Sequence, residues 1–489
     1  MKIDTAMRHW GWVGLTAVTL TTILSVTYGD FVGRFFAFDD FSVLDDVEHV
    51  AVQGLAGLPH VLVPWPSFAQ YRPLTTIGWF WLARTCFGLD PRSWTVAQFA
   101  THLLNGLLVF AITRRLLRSS AAAFAAALIY TCAPGHALAL RWIAFFTITG
   151  TTLAYFLALW TWLAAPERWR AISTTALVVV ALLCSEHAIS LPIALTAVAL
   201  LGQGRRDGRR LARELAPVWA VGAVYVTAKL VFLYAPWGGG PSIAAVVFRN
   251  GYALDFDPWT ATATLGHYVG AALTPLYRPD PPVTWCRPVG FLCLGVAAVA
   301  LVVGASAGVR RPWLGVFGCG CALFLAGLGP VLFLPTHIYP AYVGIPALGA
   351  ALAVIAPLTA LPGNGAVALA AAAGFVAVHL HSTATAVRSE SDFRFIELAS
   401  DSAARWLATI DHLATPATRE VVVPSDPITR RMFGSAHRQF LCAGYEVRPV
   451  LDVQGVAAAP PERLVIVKPS SPLPGPTERW HAIVRACPD

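Results

Sequence analysis

Runs of about 20 apolar residues recur along this chain, and they leave few folds open to it. In hydrocarbon every backbone N–H and C=O must be satisfied internally, so a span must be a helix of roughly 20 apolar residues or a strand of a closed barrel. Helix-length segments fall at about 10–28, 94–113, 120–138, 142–164, 171–186, 188–203, 216–235, 288–308, 313–334, 340–360 and 365–382. Only 13% of the residues are charged, about half the share in a soluble domain. The expectation is an all-α polytopic membrane protein of about eleven transmembrane helices.

The net charge of +8 does not point to nucleic acid. Its Lys and Arg residues gather at segment ends, as in "RRLLR" (114–118), "RRDGRR" (205–210) and "VRR" (309–311). That is the bias that marks cytoplasmic loops, and no aromatic–basic platform accompanies it. Two more apolar stretches, 73–88 and 261–276, are ambiguous. If both stay on the outer surface, all three basic runs fall inside. The first stretch carries Arg84 and several tryptophans, which suits an interfacial helix.

The threading then reads N-terminus in, eleven spans and C-terminus out. Segment 10–28 has no small-x-small cleavage site and reads as an anchor. A long outer loop covers about 29–93, and a second, about 236–287, contains "APWGGGPS" (235–242), expected as a flexible lid. Long loops in compact proteins are usually functional or disordered, and the first is too aromatic for disorder. Residues 1–382 form the expected membrane domain. Residues 383–489 form an expected small extracytoplasmic α/β domain, from the β-like runs "REVVVPSD" and "RLVIVKPS" with helix-like text at 427–443. Cys442 and Cys487 in that tail are free to pair if it lies outside. Cys319 and Cys321, inside an apolar run, read as small packed residues. His379 and His381, at the last exit, read as surface residues.

The first loop opens on "FFAFDDFSVLDDVEHV" (35–50), a dense acidic patch beside a bilayer, where carboxylates are expensive unless wet or functional. Some thirty residues later comes "YRPLTTIGWFWLARTCFGLDPRSWTVAQFATHLLNGLLVFAITRRLL". This text resembles the membrane half of the TMTC-type O-mannosyltransferases. They belong to the GT-C glycosyltransferase superfamily, with protein O-mannosyltransferases (PMT) and aminoarabinose (ArnT-like) transferases. Three further stretches are similar in order: "YTCAPGHALALRWIAFF" at His136, "LLCSEHAISLPIAL" at Glu186 and Pro192, and "THIYPAYVGIPALGAALA" at Tyr342, Pro346 and Gly349. The match covers about 30–380. Arg141 stands where the family has Glu, Ser185 stands where it has Lys, and no tetratricopeptide repeats follow.

The resemblance implies an inverting glycosyltransferase that moves a sugar, mannose by family, from a polyprenyl-phosphate donor to an acceptor hydroxyl on the extracytoplasmic side. It implies a multi-pass protein of a bacterial inner or plasma membrane, working among membrane lipid on a protein, lipid or glycan acceptor. An anionic phosphate leaving group needs cations to hold it, and the acceptor hydroxyl needs a base. Asp39, first of the pair, is the expected general base. Asp40 shares that role, orients the acceptor or binds a metal; read alone, the pair also caps a helix start. Asp40, Asp45 and Asp46 are candidate ligands for a divalent ion such as Mg2+ or Mn2+, against the reading that the latter two, with Glu48, line a wet helix face. Asp45 and His49 also make an i, i+4 pair. Arg72, His136, Arg141, Glu186, His187 and His337 are candidates for the donor phosphate or sugar. Against these stand a snorkelling role for Arg72 and a structural ion pair for Glu186 and His187. The alternatives are a polytopic transporter or lipid flippase, and a noncatalytic protein with a GT-C shell. Transporters favour mid-span charges, and Lys229 is the main one here.

Overall fold

A computed structural model describes residues 2–51, 54–61, 71–204, 207–234, 254–274, 283–307, 311–335, 337–389, 391–413, 418, 420–424, 446–450 and 463–465. The expected lid at 235–242, the helix-like text at 427–443, Cys442 and Cys487 lie outside these residues.

Each expected span falls on helix. α1 is Lys2–Tyr28, and the long loop after it carries α2 (Asp39–Ala51), the short turn α3 (Leu58–Val61), a π-turn (Pro73–Gly78) and α4 (Trp79–Phe87). The bundle continues with α5 (Pro91–Leu117), α6 (Ser120–Thr131), α7 (His136–Arg141), α8 (Phe146–Ala164), α9 (Glu167–Cys184), α10 (Leu191–Ala197) and α11 (Gly208–Tyr234). After α12 (Pro258–Leu273) come α13 (Val283–Ala307), α14 (Pro312–Leu328), α15 (Pro346–Leu358) and α16 (Asn364–Ser389). Among the described residues, six helical stretches, built on α1, α5, α8, α11, α13 and α16, are long and apolar enough to cross a membrane. Val26 (71% exposed), Val224 (69%) and Val302 (69%) stand on their outer faces. An apolar exterior of this kind suits lipid, and the protein is a multi-pass membrane protein.

Local sequence explains the ends and breaks. Asp90 caps α5 by accepting the N–H groups of Arg92 and Ser93, and Pro91 takes the first turn, where its missing N–H costs nothing. Ser119 caps α6 in the same way. The stretch 120–138, expected as one span, is broken: α6 stops at Thr131, Pro134 and Gly135 turn the chain, and α7 starts at His136. A Cβ on Gly135 would lie 2.4 Å from the Pro340 carbonyl oxygen, so only glycine lets that turn dock. Segment 73–88 is a π-turn followed by the nine-residue α4, too short to cross.

Packing rests on small residues. Five alanines of α6 (122, 123, 125, 126 and 127) are fully buried, so its neighbours approach to backbone distance. α14 and α15 cross at Gly320 and Gly349, where a Cβ on Gly349 would lie 2.3 Å from the Phe324 nitrogen. Cys319 is buried within this core, as its reading as a packed residue requires. The surface assignment of His379 is corrected: it is fully buried and its ring meets the Tyr28 hydroxyl at 3.4 Å. His381, two residues and about 200° further round the helix, is exposed.

In the tail, α17 (Ser391–Leu413) precedes β1 (Glu420–Pro424), β2 (Glu446–Val450) and β3 (Arg463–Val465). The strands are parallel in the order β2-β1-β3, with Val421 opposite Val447 and Leu464. β1 and β3 fall on the two β-like runs. Trp406, Leu407, Ile410, Val421 and Val423 pack with Phe35, Phe36, Phe41 and Trp94, and Ser400 Oγ donates to the Phe35 carbonyl at 2.9 Å. The tail thus clamps the chain just ahead of the acidic pair.

Candidate active site

Phe38 has φ of +45°, a left-handed conformation that costs a bulky L-residue energy and persists only where its surroundings enforce it. Its ring is buried against Trp142, centroids 5.9 Å apart. This strained residue immediately precedes α2, whose first turn holds Asp39 and Asp40.

The two acids have different surroundings. Asp39 is exposed, whereas Asp40 is 1% exposed. Asp40 Oδ2 accepts the Ala37 N–H at 2.8 Å, and Oδ1 accepts the Ala144 N–H at 2.6 Å. Trp142 Nε1 donates to the Ala37 carbonyl at 3.2 Å. Burial pushes the Asp40 carboxyl well above the ordinary carboxylate range, and the two N–H groups pull the other way. Asp40 is therefore a lock between the first loop and the turn before α8. Asn can offer an oxygen to only one of the two donors, so Asp40→Asn is expected to destabilise by about 1–3 kcal/mol. A lowered melting temperature in detergent is the check.

The metal candidates do not fit one ion. Both Asp40 oxygens are engaged by backbone. Asp45 and Asp46, half-buried, follow it on the same helix by five and six residues, which at about 100° per residue turns them to other faces. Among the described residues no group of three His, Cys, Asp or Glu side chains is placed to hold a metal.

A second group gathers around the π-turn. Trp79 stacks on Phe146 with centroids 3.8 Å apart, and Thr75 Oγ1 donates to the Cys184 carbonyl. These contacts bring Arg72 to the break between α9 and α10, where Glu186 sits. Arg72 Nε donates to Glu186 Oε2 at 2.9 Å, and its Nη2 donates to Oε1, giving a two-pronged pair. Ser185 Oγ lies 2.9 Å from His187 Nδ1, and His187 Nε2 has no partner among the described residues. Lys229 of α11 is close enough for its charge to act on both Glu186 and Arg72. It was not among the sequence candidates for the site, although a lone lysine inside an apolar span is costly enough to signal function by itself.

Aromatic rings connect the groups. Trp142 meets Phe145 at 5.0 Å, Phe145 meets Tyr339 at 5.9 Å, and Tyr339 meets Tyr342 at 5.8 Å. Tyr342 lies 4.9 Å from His187, and His337 lies 4.6 Å from Tyr339. Arg72, Glu186, His187 and His337 thus belong to one neighbourhood, reached from Asp40 through this wall. His136 and Arg141 sit elsewhere. His136 is buried against His102 and Tyr130, at 4.5 and 4.8 Å, and the Arg141 guanidinium lies 4.8 Å over the Phe31 ring.

No protein-family model and no curated protein matches the sequence. Solved structures do match. The ArnT of Cupriavidus metallidurans, crystallised with undecaprenyl phosphate, is 15% identical and aligns over 93% of this chain and 89% of its own, with a TM-score of 0.51. This chain has the GT-C glycosyltransferase fold. The oligosaccharyltransferase of Archaeoglobus fulgidus is also similar, at 13% identity and a TM-score of 0.49, over 88% of this chain and 64% of its own.

Proposed function

We propose that this protein is an inverting glycosyltransferase that takes its sugar from a polyprenyl phosphate, with mannose favoured by the sequence resemblance, and works on the extracytoplasmic side. The reading is supported by two features joined by the aromatic wall: an exposed carboxylate, Asp39, at a strained turn, and a half-buried cluster of two cations and one anion. Arg72 and Lys229 together outnumber Glu186 by one positive charge, which suits a lipid phosphate. The ArnT structure of the same fold holds undecaprenyl phosphate, and the same class of carrier is assigned here.

In the reaction, Asp39 accepts the proton of the acceptor hydroxyl. The hydroxyl oxygen bonds to the anomeric carbon from the face opposite the phosphate. The bond from that carbon to the phosphate oxygen breaks, and polyprenyl phosphate leaves with the electron pair. Arg72 and Lys229 hold the charge that develops on it. Glu186 orients Arg72, and His187 and His337 line the sugar side. Asp40 shapes the loop and takes no proton.

The test is transfer by the purified protein in membranes carrying a radiolabelled lipid-linked sugar. Polyprenyl-phosphate mannose is expected to label a membrane acceptor. Transfer from another polyprenyl-phosphate sugar alone would replace mannose and keep the reaction class. No transfer from any such donor would overturn the reading in favour of a noncatalytic GT-C shell.

A further inference from the structure

α11 keeps one stripe toward the protein along its length. Leu211, Leu215, Val218, Gly222, Tyr225 and Lys229 recur at spacings of three and four, the period of a helix face. Leu211, Leu215 and Val218 are buried, whereas Val224, Leu230 and Val231, off the stripe, are exposed. Successive contacts set α11 antiparallel to α10. Trp219 Nε1 donates to Thr196 Oγ1 at 3.3 Å. A Cβ on Gly222 would lie 3.1 Å from Pro192 Cγ, so the two helices meet closely there. The next turns of α11 reach the residues just ahead of α10. Tyr225 and Lys229 are both near enough to Arg72 and Glu186 for those charges to act on them. The inward stripe thus turns from apolar to polar where it meets the Arg72–Glu186 pair.

Tyr225 stands out within that stripe. Its hydroxyl oxygen is buried and has no hydrogen-bond partner among the described residues. A buried O–H without a partner carries a desolvation cost that Phe at the same place would avoid. Tyrosine is common at membrane interfaces, where its hydroxyl meets water. Tyr234, 57% exposed at the end of the same helix, fits that position. Tyr225 does not, because its ring packs on the core and its hydroxyl is shut off from solvent. A phenol O–H can donate to an anion. The cluster beside it, with two cations and one carboxylate, is where the lipid phosphate is assigned.

We propose that Tyr225 is a binding residue for the lipid phosphate, its hydroxyl donating a hydrogen bond to a phosphate oxygen held by Arg72 and Lys229. This assignment rests on the polyprenyl-phosphate reading above and adds a neutral donor to its two cations. Tyr225 holds the donor and takes no part in proton transfer.

The test uses the full chain in detergent, with binding read by native mass spectrometry and by thermal stabilisation. The probes are polyprenyl phosphate, its mannose-bearing form and the uncharged polyprenol. Wild type is expected to bind both phosphates more tightly than polyprenol. Tyr225→Phe removes one O–H and keeps the ring, so its Tm without lipid should not fall. Its affinity for both phosphates should drop about tenfold, the share of one hydrogen bond to a charged group. Its affinity for polyprenol should not change. In transfer, the donor KM should rise while kcat stays near wild type. Equal affinity of the variant and wild type for polyprenyl phosphate would overturn this assignment and leave the carrier reading standing. A lowered Tm without lipid, with the same loss for polyprenol as for the phosphates, would make Tyr225 a packing residue. A loss confined to the mannose-bearing lipid would overturn the phosphate contact in favour of one to the sugar. If wild type binds polyprenyl phosphate no better than polyprenol, the carrier reading itself fails, and this assignment with it.

Discussion

Asn in place of Asp39 is expected to lower kcat for sugar transfer by about 10²–10⁴-fold, the usual contribution of a positioned base. The donor KM should stay near wild type, because a base acts on the acceptor proton in the transition state and not on the lipid phosphate. Tm should also stay near wild type, since Asp39 is exposed at the first turn of α2. A carboxylate in the first turn of a helix gains only a few tenths of a kcal/mol to about 1 kcal/mol from the dipole, and Asn remains a good residue there. Asp39→Glu, which keeps the base and moves it by one methylene, should recover part of the rate.

The neighbouring acid supplies the contrast. Asp40→Asn is expected to lower Tm through its lost backbone acceptor, and to lower transfer through the misplaced loop. The two variants differ by one position and one carboxylate, yet one should be a kinetic variant and the other a stability variant. Wild-type transfer by Asp39→Asn would remove the base from this loop altogether. A large Tm loss in Asp39→Asn would make both acids structural.

Hydropathy reported where apolar helices fall but not which of them cross: six among the described residues are long and apolar enough, and the run at 120–138 is broken between Thr131 and His136. The acidic pair and the Arg72 segment stand out in the sequence through text similar to a known superfamily. What the sequence hid was tertiary placement. Asp39 and Asp40 are indistinguishable as letters, and only the N–H groups of Ala37 and Ala144, the latter 104 positions away, separate their environments. Arg72 and Glu186 are 114 positions apart, and no local pattern encodes their pairing. Lys229 gave a signal, a charge inside an apolar run, but its destination depended on how α11 packs beside α9 and α10. His379 was misread because an exit position suggested solvent, whereas helix rotation turned it toward α1. His136 matched the superfamily text, yet α7 folds it against His102 and Tyr130, apart from the Arg72 cluster.

The pair of Arg72 and Glu186 carries the second large effect. Its side chains are 14% and 30% exposed, so neither charge is well solvated. Removing the cation in Arg72→Gln strands the carboxylate at a cost of about 3–5 kcal/mol, toward the lower figure because Glu186 keeps some access to water. Transfer should fall with it, through a raised donor KM. The double variant Arg72→Gln, Glu186→Gln removes the stranded charge and should regain most of the stability, and a double-mutant cycle would isolate that coupling. It should not regain transfer, because the phosphate still lacks its guanidinium. Arg72→Lys keeps the charge but loses the planar fork, so it should fall between wild type and Arg72→Gln. Lys229→Met should raise the donor KM, since the lipid phosphate would then meet one cation fewer. If the double variant recovers transfer together with stability, the pair is a structural brace between the π-turn and α9, and the phosphate is held elsewhere. If stability returns and transfer does not, Arg72 acts on the donor, and Glu186 serves to hold the guanidinium ready before the donor arrives.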